Sequence, residues 1–459
     1  MTQTEPQSPT ETLAAFIATL RFESLPRAVI DQACDIILDT LGCGIAAWRD
    51  DTEKAEIARN VTRTFRAEPN ALIWGSGGER TDAALAALAN GILANAADFD
   101  DTHKRALLHT GSVIVPPTLA LAEELGLTGA QIVTAMVAGY ETAVRVGMAV
   151  MPTHYRFWHS TATNGTFGAA ASAASALELD AKQARMALGF AGTQAAGLNT
   201  FFSYGDMTKS LHPGKASFNG VLSARLASLG GTSPPTMLEH EKGYINAFSL
   251  EPKAEALTKG LGETWEILEN GFKFFPSILA SHAPIQATLD VVMEHDIKPD
   301  QIARIVNETY STVKSHFSAK EVSTGMGARV SVPYCCAVAA LDRAVGQAQF
   351  AEARVNREDV QRLLANTEGV AGDAGTAQYP TKFPARGTVT LKDGRTFTSQ
   401  RDFPKGDPQA PLSPAEIEAK FLDNAAARYA PGAARELVDL VRSLPETGAP
   451  TALWKALGA

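Results

Sequence analysis

The stretch NAADFDDTHKRALLHTGS, residues 95–112, crowds Asp98, Asp100, Asp101, Thr102, His103 and His109 into eighteen positions. Carboxylates and imidazoles at this density can hold a divalent metal, or move protons without one. They can also mark a helix start, where the dipole favours aspartate. A Mg²⁺ site of the aspartate-rich-helix kind needs a further carboxylate one turn beyond the Asp pair. Lys104 and Arg105 stand there instead, and two cations discourage a divalent ion. A helical metal phosphohydrolase needs a His-Asp pair at its centre. The chain's one such dipeptide, His295-Asp296, lies in a charged stretch. The expectation is therefore no metal.

Four other segments carry groups of matching chemistry. RFWHSTATNGTFGAA sets His159 before a Gly-rich entry to a helix, and GDMTKSLHPGKAS sets Lys209, His212 and Lys215 in what reads as a loop around Pro213-Gly214. NGFKFFPSILASHAP places Lys273 among phenylalanines, with His282 nine residues on, and GARVSVPYCCAVA offers Arg329 and Tyr334. Each has a plain structural explanation: a capping or core histidine, a solvated basic loop, a snorkelling lysine, a core tyrosine. Together they meet the needs of proton abstraction α to a carboxylate. That proton is weakly acidic, so fixed cations must stabilise the enediolate as it forms. A base takes the proton, and a histidine or tyrosine can protonate a leaving hydroxyl. Several cations also suit a polycarboxylate substrate.

The elements that must position these groups are mostly helical. Ser8-Pro9-Thr10-Glu11 is a capping box with Pro at the first helical position, followed by Leu13, Phe16, Ile17 and Leu20 on one face. A second helix starts near Pro26, and Thr128 to Gln131 opens another. The Ala/Gly/Ser-rich run from Thr166 to Leu179 predicts a central, closely packed helix. Beyond Gly271, ARIVNETYSTVK and GTVTLKDGRTFTSQ are rich in β-branched residues, and Asp393-Gly394 signals a hairpin. SPAEIEAKF returns the chain to helix and predicts a C-terminal tail packed on the first part. The expected fold is mainly α with an α+β lid: a helical domain from residues 1–267 and 411–459, and an inserted lid from 268–410.

Bulk properties narrow the partners. The chain has 459 residues and a net charge of −9, without a Lys/Arg stripe for phosphates. No nucleic acid is expected. The start, Met-Thr-Gln-Thr-Glu-Pro, lacks a secretory pattern, and no apolar run is long enough to span a membrane. Cys34, Cys43, Cys335 and Cys336 show no CxxC spacing, which fits buried thiols in a cytoplasmic protein.

The ordered set ADFDDTH…H, WHSTATNGTFGAAASAA, GTQAAGLNTFFSYGDMTKSLHPGKAS, HEKGYINAFS, FKFFPSILASH and GARVSVPY closely resembles the MmgE/PrpD family, from about residue 10 to 445. That family includes 2-methylcitrate dehydratase, cis-aconitate decarboxylase and iminodisuccinate epimerase. The resemblance implies a homodimer of two-domain subunits, with a cleft active site and no metal or organic cofactor. It places Asp98, Thr102, His109, His159, Lys209, Lys273 and Tyr334 on the family's catalytic positions, with one extra residue between Thr102 and His109. His212, His282 and Arg329 are expected to bind substrate.

Two departures bear on activity. Relatives of the decarboxylase type carry a histidine where Ile278 stands, and the run after Thr102 is His-Lys-Arg-Ala-Leu-Leu. The leading expectation is a cofactor-independent hydro-lyase acting on a 2-methylcitrate-like hydroxy-polycarboxylate. Asp98 or His159 would move the proton, Lys209, Lys273 and His212 would clamp carboxylates, and Tyr334 would assist from the lid. An epimerase is the alternative, ahead of a decarboxylase, and a non-catalytic binding protein stands outside both.

Overall fold

The computed structural model describes residues 7–204, 206–379 and 381–459; the polar start, Met1 to Pro6, lies outside them. The helix Pro9–Thr19 carries the full Ser8/Glu11 capping box, and the helices Gly129–Val150 and Pro414–Ala425 carry the boxes Thr128/Gln131 and Ser413/Glu416. Each satisfies two backbone donors that a helix start would otherwise leave orphaned.

At the centre lies the helix Ser160–Ala176, on which every side chain but that of Ser175 is buried. Its small residues permit this. A Cβ added at Gly168 would come within 2.7 Å of the Gly139 carbonyl oxygen, so glycine at this crossing lets the two backbones nearly touch. Around it pack Gly129–Val150, Gly111–Leu125 and Thr208–Ser228, and outside them Arg27–Asp50 and Ala83–Asn95. Thr208–Ser228 is the segment read above as a loop. Pro213 and Gly214 look like breakers, but Pro213 sits early in the helix, and Gly214 serves a helix crossing. A Cβ on Gly214 would meet the Leu88 carbonyl oxygen at 2.3 Å.

Two large apolar cores form, beside a small cluster around Trp48, Ile73, Ile92 and Leu93. One draws on residues from Leu13 to Phe272 and again from Leu412 to Leu457, so the C-terminal helices complete it. The other runs from Phe275 to Leu391. The smaller unit holds a four-stranded sheet in the order Thr367–Ala371, Ile302–Thr309, Ala385–Leu391, Thr396–Arg401. Its first pair is parallel and the others antiparallel. The Asp393-Gly394 turn joins the last two strands, with Gly394 at φ 91°. Helices Leu279–Glu294 and Val332–Asp342 pack on this sheet. No helix among the described residues is long and apolar enough to cross a membrane.

Candidate active site

The helix Ala83–Asn95 ends just before Asp98, whose φ of 53° places it in the left-handed region that Asp tolerates better than most residues. Its carboxylate is buried, with Oδ1 2.5 Å from both Lys209 Nζ and Lys273 Nζ. Lys273 also donates to the Asp98 carbonyl at 2.9 Å. Burial alone would push this carboxyl up. Lys209 and Lys273, aided by His109, hold it well below the usual carboxylate range. Burial wins at Lys209, whose ammonium is pushed down although Asp98 opposes the change.

His109 stands beside this cluster, its Nδ1 3.1 Å from Asp100 Oδ1. Asp100 is itself fixed by the Asn95 amide, which donates to its two oxygens at 2.9 and 3.0 Å. Burial resists ionisation of Asp100, but His109 and Lys273 bring it down to about 2. Burial also lowers His109, against the pull of Asp100. A neutral imidazole that gives its Nδ1 proton to Asp100 keeps a lone pair on Nε2. That atom lies 3.7 Å from Asp98 Oδ1, too far for a hydrogen bond, and His109 lines the pocket.

Asp101 does structural work. It accepts from the Gly111 N–H at 2.9 and 3.1 Å and from the Tyr140 hydroxyl at 2.7 Å, anchoring the helix Gly111–Leu125. Burial, with Asp39 and Asp100 nearby, raises it to about 7.

Two devices bring Lys273 to the cluster. Thr102 and His103 pair antiparallel with Gly271 and Asn270, stitching the aspartate loop to the chain just before Lys273. From the C-terminal helix, Lys420 donates to the carbonyls of Phe99 at 2.8 Å and Lys273 at 2.9 Å, while its ammonium lies 2.6 Å from the buried Asp39.

The pocket has a cavity volume of about 100 Å³ and is partly open to solvent. Asp98, Thr102, His109, Lys209 and Lys273 line it, as does Ile278. Not all expected residues reach it. His159 stands at the start of the helix Ser160–Ala176, off the pocket wall, with its ring 6.3 Å from that of His109 and its Nδ1 2.9 Å from His212 Nδ1. Burial pushes His212 down to about 4, so it brings no charge at neutral pH for clamping a carboxylate. His282 lies behind Lys273, lowered to about 3 by burial and by Lys273. Arg329 does not face the pocket: it donates to the carbonyls of Ala97 at 3.1 Å and Pro276 at 2.7 Å, binding the aspartate loop to the smaller unit. Tyr334 is packed in the smaller core, its hydroxyl on the Gln349 carbonyl.

Sequence reasoning missed Tyr155, Tyr310, Phe317, Tyr379 and Phe383, all on the pocket wall. They are scattered and share no spacing. It also missed the pairing of His103 with Asn270, and Lys420. For a metal, Asp98, Asp100 and His109 do offer ligand atoms within 4.8 Å of one another. Two ammonium groups already sit on Asp98 Oδ1, so the donor set does not fit a divalent cation.

This arrangement can bind a carboxylate at two ammonium groups and move a proton at His109. Comparison with known proteins gives the family. The chain is 30% identical to the cis-aconitate decarboxylase of Homo sapiens, across 96% of this chain and 92% of that one. It is 25% identical to cis-aconitate decarboxylase of Aspergillus terreus, across 95% and 93%. It is 26% identical to a cis-aconitate decarboxylase-like protein, oryM, of Aspergillus oryzae, across 90% and 89%. The MmgE/PrpD N-terminal domain matches residues 11–257 and the MmgE/PrpD C-terminal domain residues 275–446. With both halves matched in order around the cluster of Asp98, His109, Lys209 and Lys273, the chain belongs to the MmgE/PrpD family, whose members include lyases.

Proposed function

We propose that this chain is a hydro-lyase that needs no cofactor, dehydrating or hydrating a hydroxy-polycarboxylate. The observation that carries the reading is the Asp100–His109 pair, with His109 Nε2 facing a cluster of two lysines. A substrate carboxylate binds at Lys209 and Lys273. His109 Nε2 removes the proton α to it, and the ammonium groups stabilise the enediolate. The electron pair then forms the carbon–carbon double bond as the β-hydroxyl departs. Tyr155, whose phenol burial keeps protonated, supplies the proton that makes it water. Asp98 positions the lysines, and the smaller unit acts as the lid.

Decarboxylation is the second reading, supported by the relatives named above; against it stands Ile278, an apolar residue on the pocket wall. Incubating the protein in D₂O with hydroxy-tricarboxylates, unsaturated tricarboxylates and amino-diacids distinguishes the outcomes. A rise in absorbance from a conjugated double bond supports dehydration, and released CO₂ supports decarboxylation. Deuterium exchange with no loss of water or CO₂ would put epimerisation in their place.

Homodimer assembly belongs to the same proposal. It is supported by the exposed stripe Leu222, Leu226 and Leu229 on the helix Thr208–Ser228 and its end, and sedimentation of the purified protein tests it. Four free, buried cysteines support a cytoplasmic setting.

A further inference from the structure

The charges that face the pocket are few. Lys209 and Lys273 supply its cations, and Asp98 already cancels one of them. Lys104 also lines the wall, but it is held by Asp407 at 3.0 Å. Burial pushes His103 and His109 towards their neutral forms. Arg329, the nearest guanidinium expected to help, is committed to backbone carbonyls.

The opposite wall is aromatic. Tyr310 and Tyr379 stack with ring centroids 4.4 Å apart and planes within 12°, and Phe383 meets both edge-on at 5.6 and 5.4 Å. Phe317, from the same unit, meets Phe202 from the helical side at 5.8 Å, closing the roof. Ile278 extends this surface. The polar groups on this wall are the hydroxyls of Tyr310, Thr312 and Tyr379, which carry no charge to balance an anion.

A tricarboxylate in this pocket would set at least one ionised carboxylate against aromatic carbon, without a cation. Burying an unpaired charge in that way is strongly unfavourable. An apolar group there instead removes its own surface and that of the rings from water. We propose that the substrate is a dicarboxylate with an apolar arm, an aryl or branched alkyl group, in place of a third carboxylate. This rests on the reading above that Lys209 and Lys273 hold a substrate carboxylate.

The test uses the wild-type protein and two saturated ligands without a hydroxyl leaving group, 2-benzylsuccinate and propane-1,2,3-tricarboxylate, titrated by calorimetry. The proposal expects 2-benzylsuccinate to bind at least ten-fold more tightly. In Phe317→Ala and Phe383→Ala that preference shrinks to under three-fold, while the affinity for succinate is unchanged. Equal or tighter binding of the tricarboxylate overturns the proposal, and so does failure of 2-benzylsuccinate to bind. Because the wild-type ratio decides, a variant that misfolds does not rescue it. Lys273→Met separates the two readings. If 2-benzylsuccinate is preferred yet binds Lys273→Met undiminished, the arm stands and the carboxylate placement falls. If the tricarboxylate is preferred and Lys273→Met abolishes its binding, the placement stands and the arm falls.

Discussion

Lys273 grips Asp98 twice, donating to its carbonyl oxygen at 2.9 Å and to its carboxylate Oδ1 at 2.5 Å. One side chain thus fixes both the left-handed backbone of Asp98 and the charge that restrains Lys209. Replacing Asp98 by asparagine removes that charge and leaves two buried ammonium groups facing each other. For Asp98→Asn, turnover should fall about 10²–10³-fold, the loss typical of a misplaced electrostatic group. Lys209 should also become easier to deprotonate. Steady-state kinetics and the pH at which Lys209 reacts with an amine reagent would check both, and an unchanged kcat would remove Asp98 from the machinery.

A neutral His109 as base has a definite pH signature. Burial sets its pKa below the ordinary histidine value, so the base form persists on the acid side of pH 6.5. Activity should rise with pH along an acid limb centred below 6.5 and be level above it. His109→Gln should cost about 10²–10⁴-fold in kcat. In Asp100→Asn the carboxylate that favours the imidazolium is gone, so the limb should move to still lower pH at reduced rate. A limb above 6.5, or one unmoved in Asp100→Asn, would count against the assignment.

Lys420 makes a stability prediction. Its ammonium pairs with a buried Asp39, so Lys420→Met strands a charge and should destabilise the fold by about 3–5 kcal/mol. Adding Asp39→Asn removes the stranded charge and should recover part of that loss. Denaturant melts of the single and double variants decide whether the pair is coupled.

Acid should weaken the protein before its carboxylates titrate. His154 and His212 are lowered to about 4 and His282 to about 3, chiefly by burial. Between pH 6.5 and 4 the unfolded chain holds protons at these sites that the native chain refuses, so stability falls as pH falls. Each group contributes about 1.4 kcal/mol per pH unit in that window. Asp101 and Glu141 act in the opposite sense, since their native carboxyls stay protonated up to about 7. Six histidines lowered by burial, His103, His109 and His159 among them, against the raised carboxyls of Asp35, Asp39, Asp101 and Glu141 predict a net decline in Tm from pH 6.5 to 4. A flat profile would show that these histidines ionise in the native state.

The local grammar of the fold was readable because it rests on short-range signals. The capping box at Ser8 formed as its spacing predicts, as did the helix starts at Thr128 and Ser413 and the Asp393-Gly394 hairpin. Pro213-Gly214 misled for a tertiary reason. Gly214 makes room for a neighbouring helix, which no local pattern reveals. At the site, Asp98, His109, Lys209 and Lys273 were recognisable as reactive types in family-like motifs. Arg329 and Tyr334 stood in similar motifs yet face carbonyl groups, because side-chain direction depends on packing. The aromatic wall was invisible, since Tyr310, Phe317, Tyr379 and Phe383 each read as ordinary core until the sheet gathers them.

The short ladder of Thr102 and His103 with Gly271 and Asn270 has a further consequence. Because it ties Lys273 to the helical side, the reactive centre is complete before the sheet unit contributes anything but walls. Reactivity and discrimination therefore reside in separate lobes. Mutations that reshape the roof can retune which molecules are accepted while the proton-moving apparatus stays as it was, so new preferences can arise in this architecture without reinventing its chemistry.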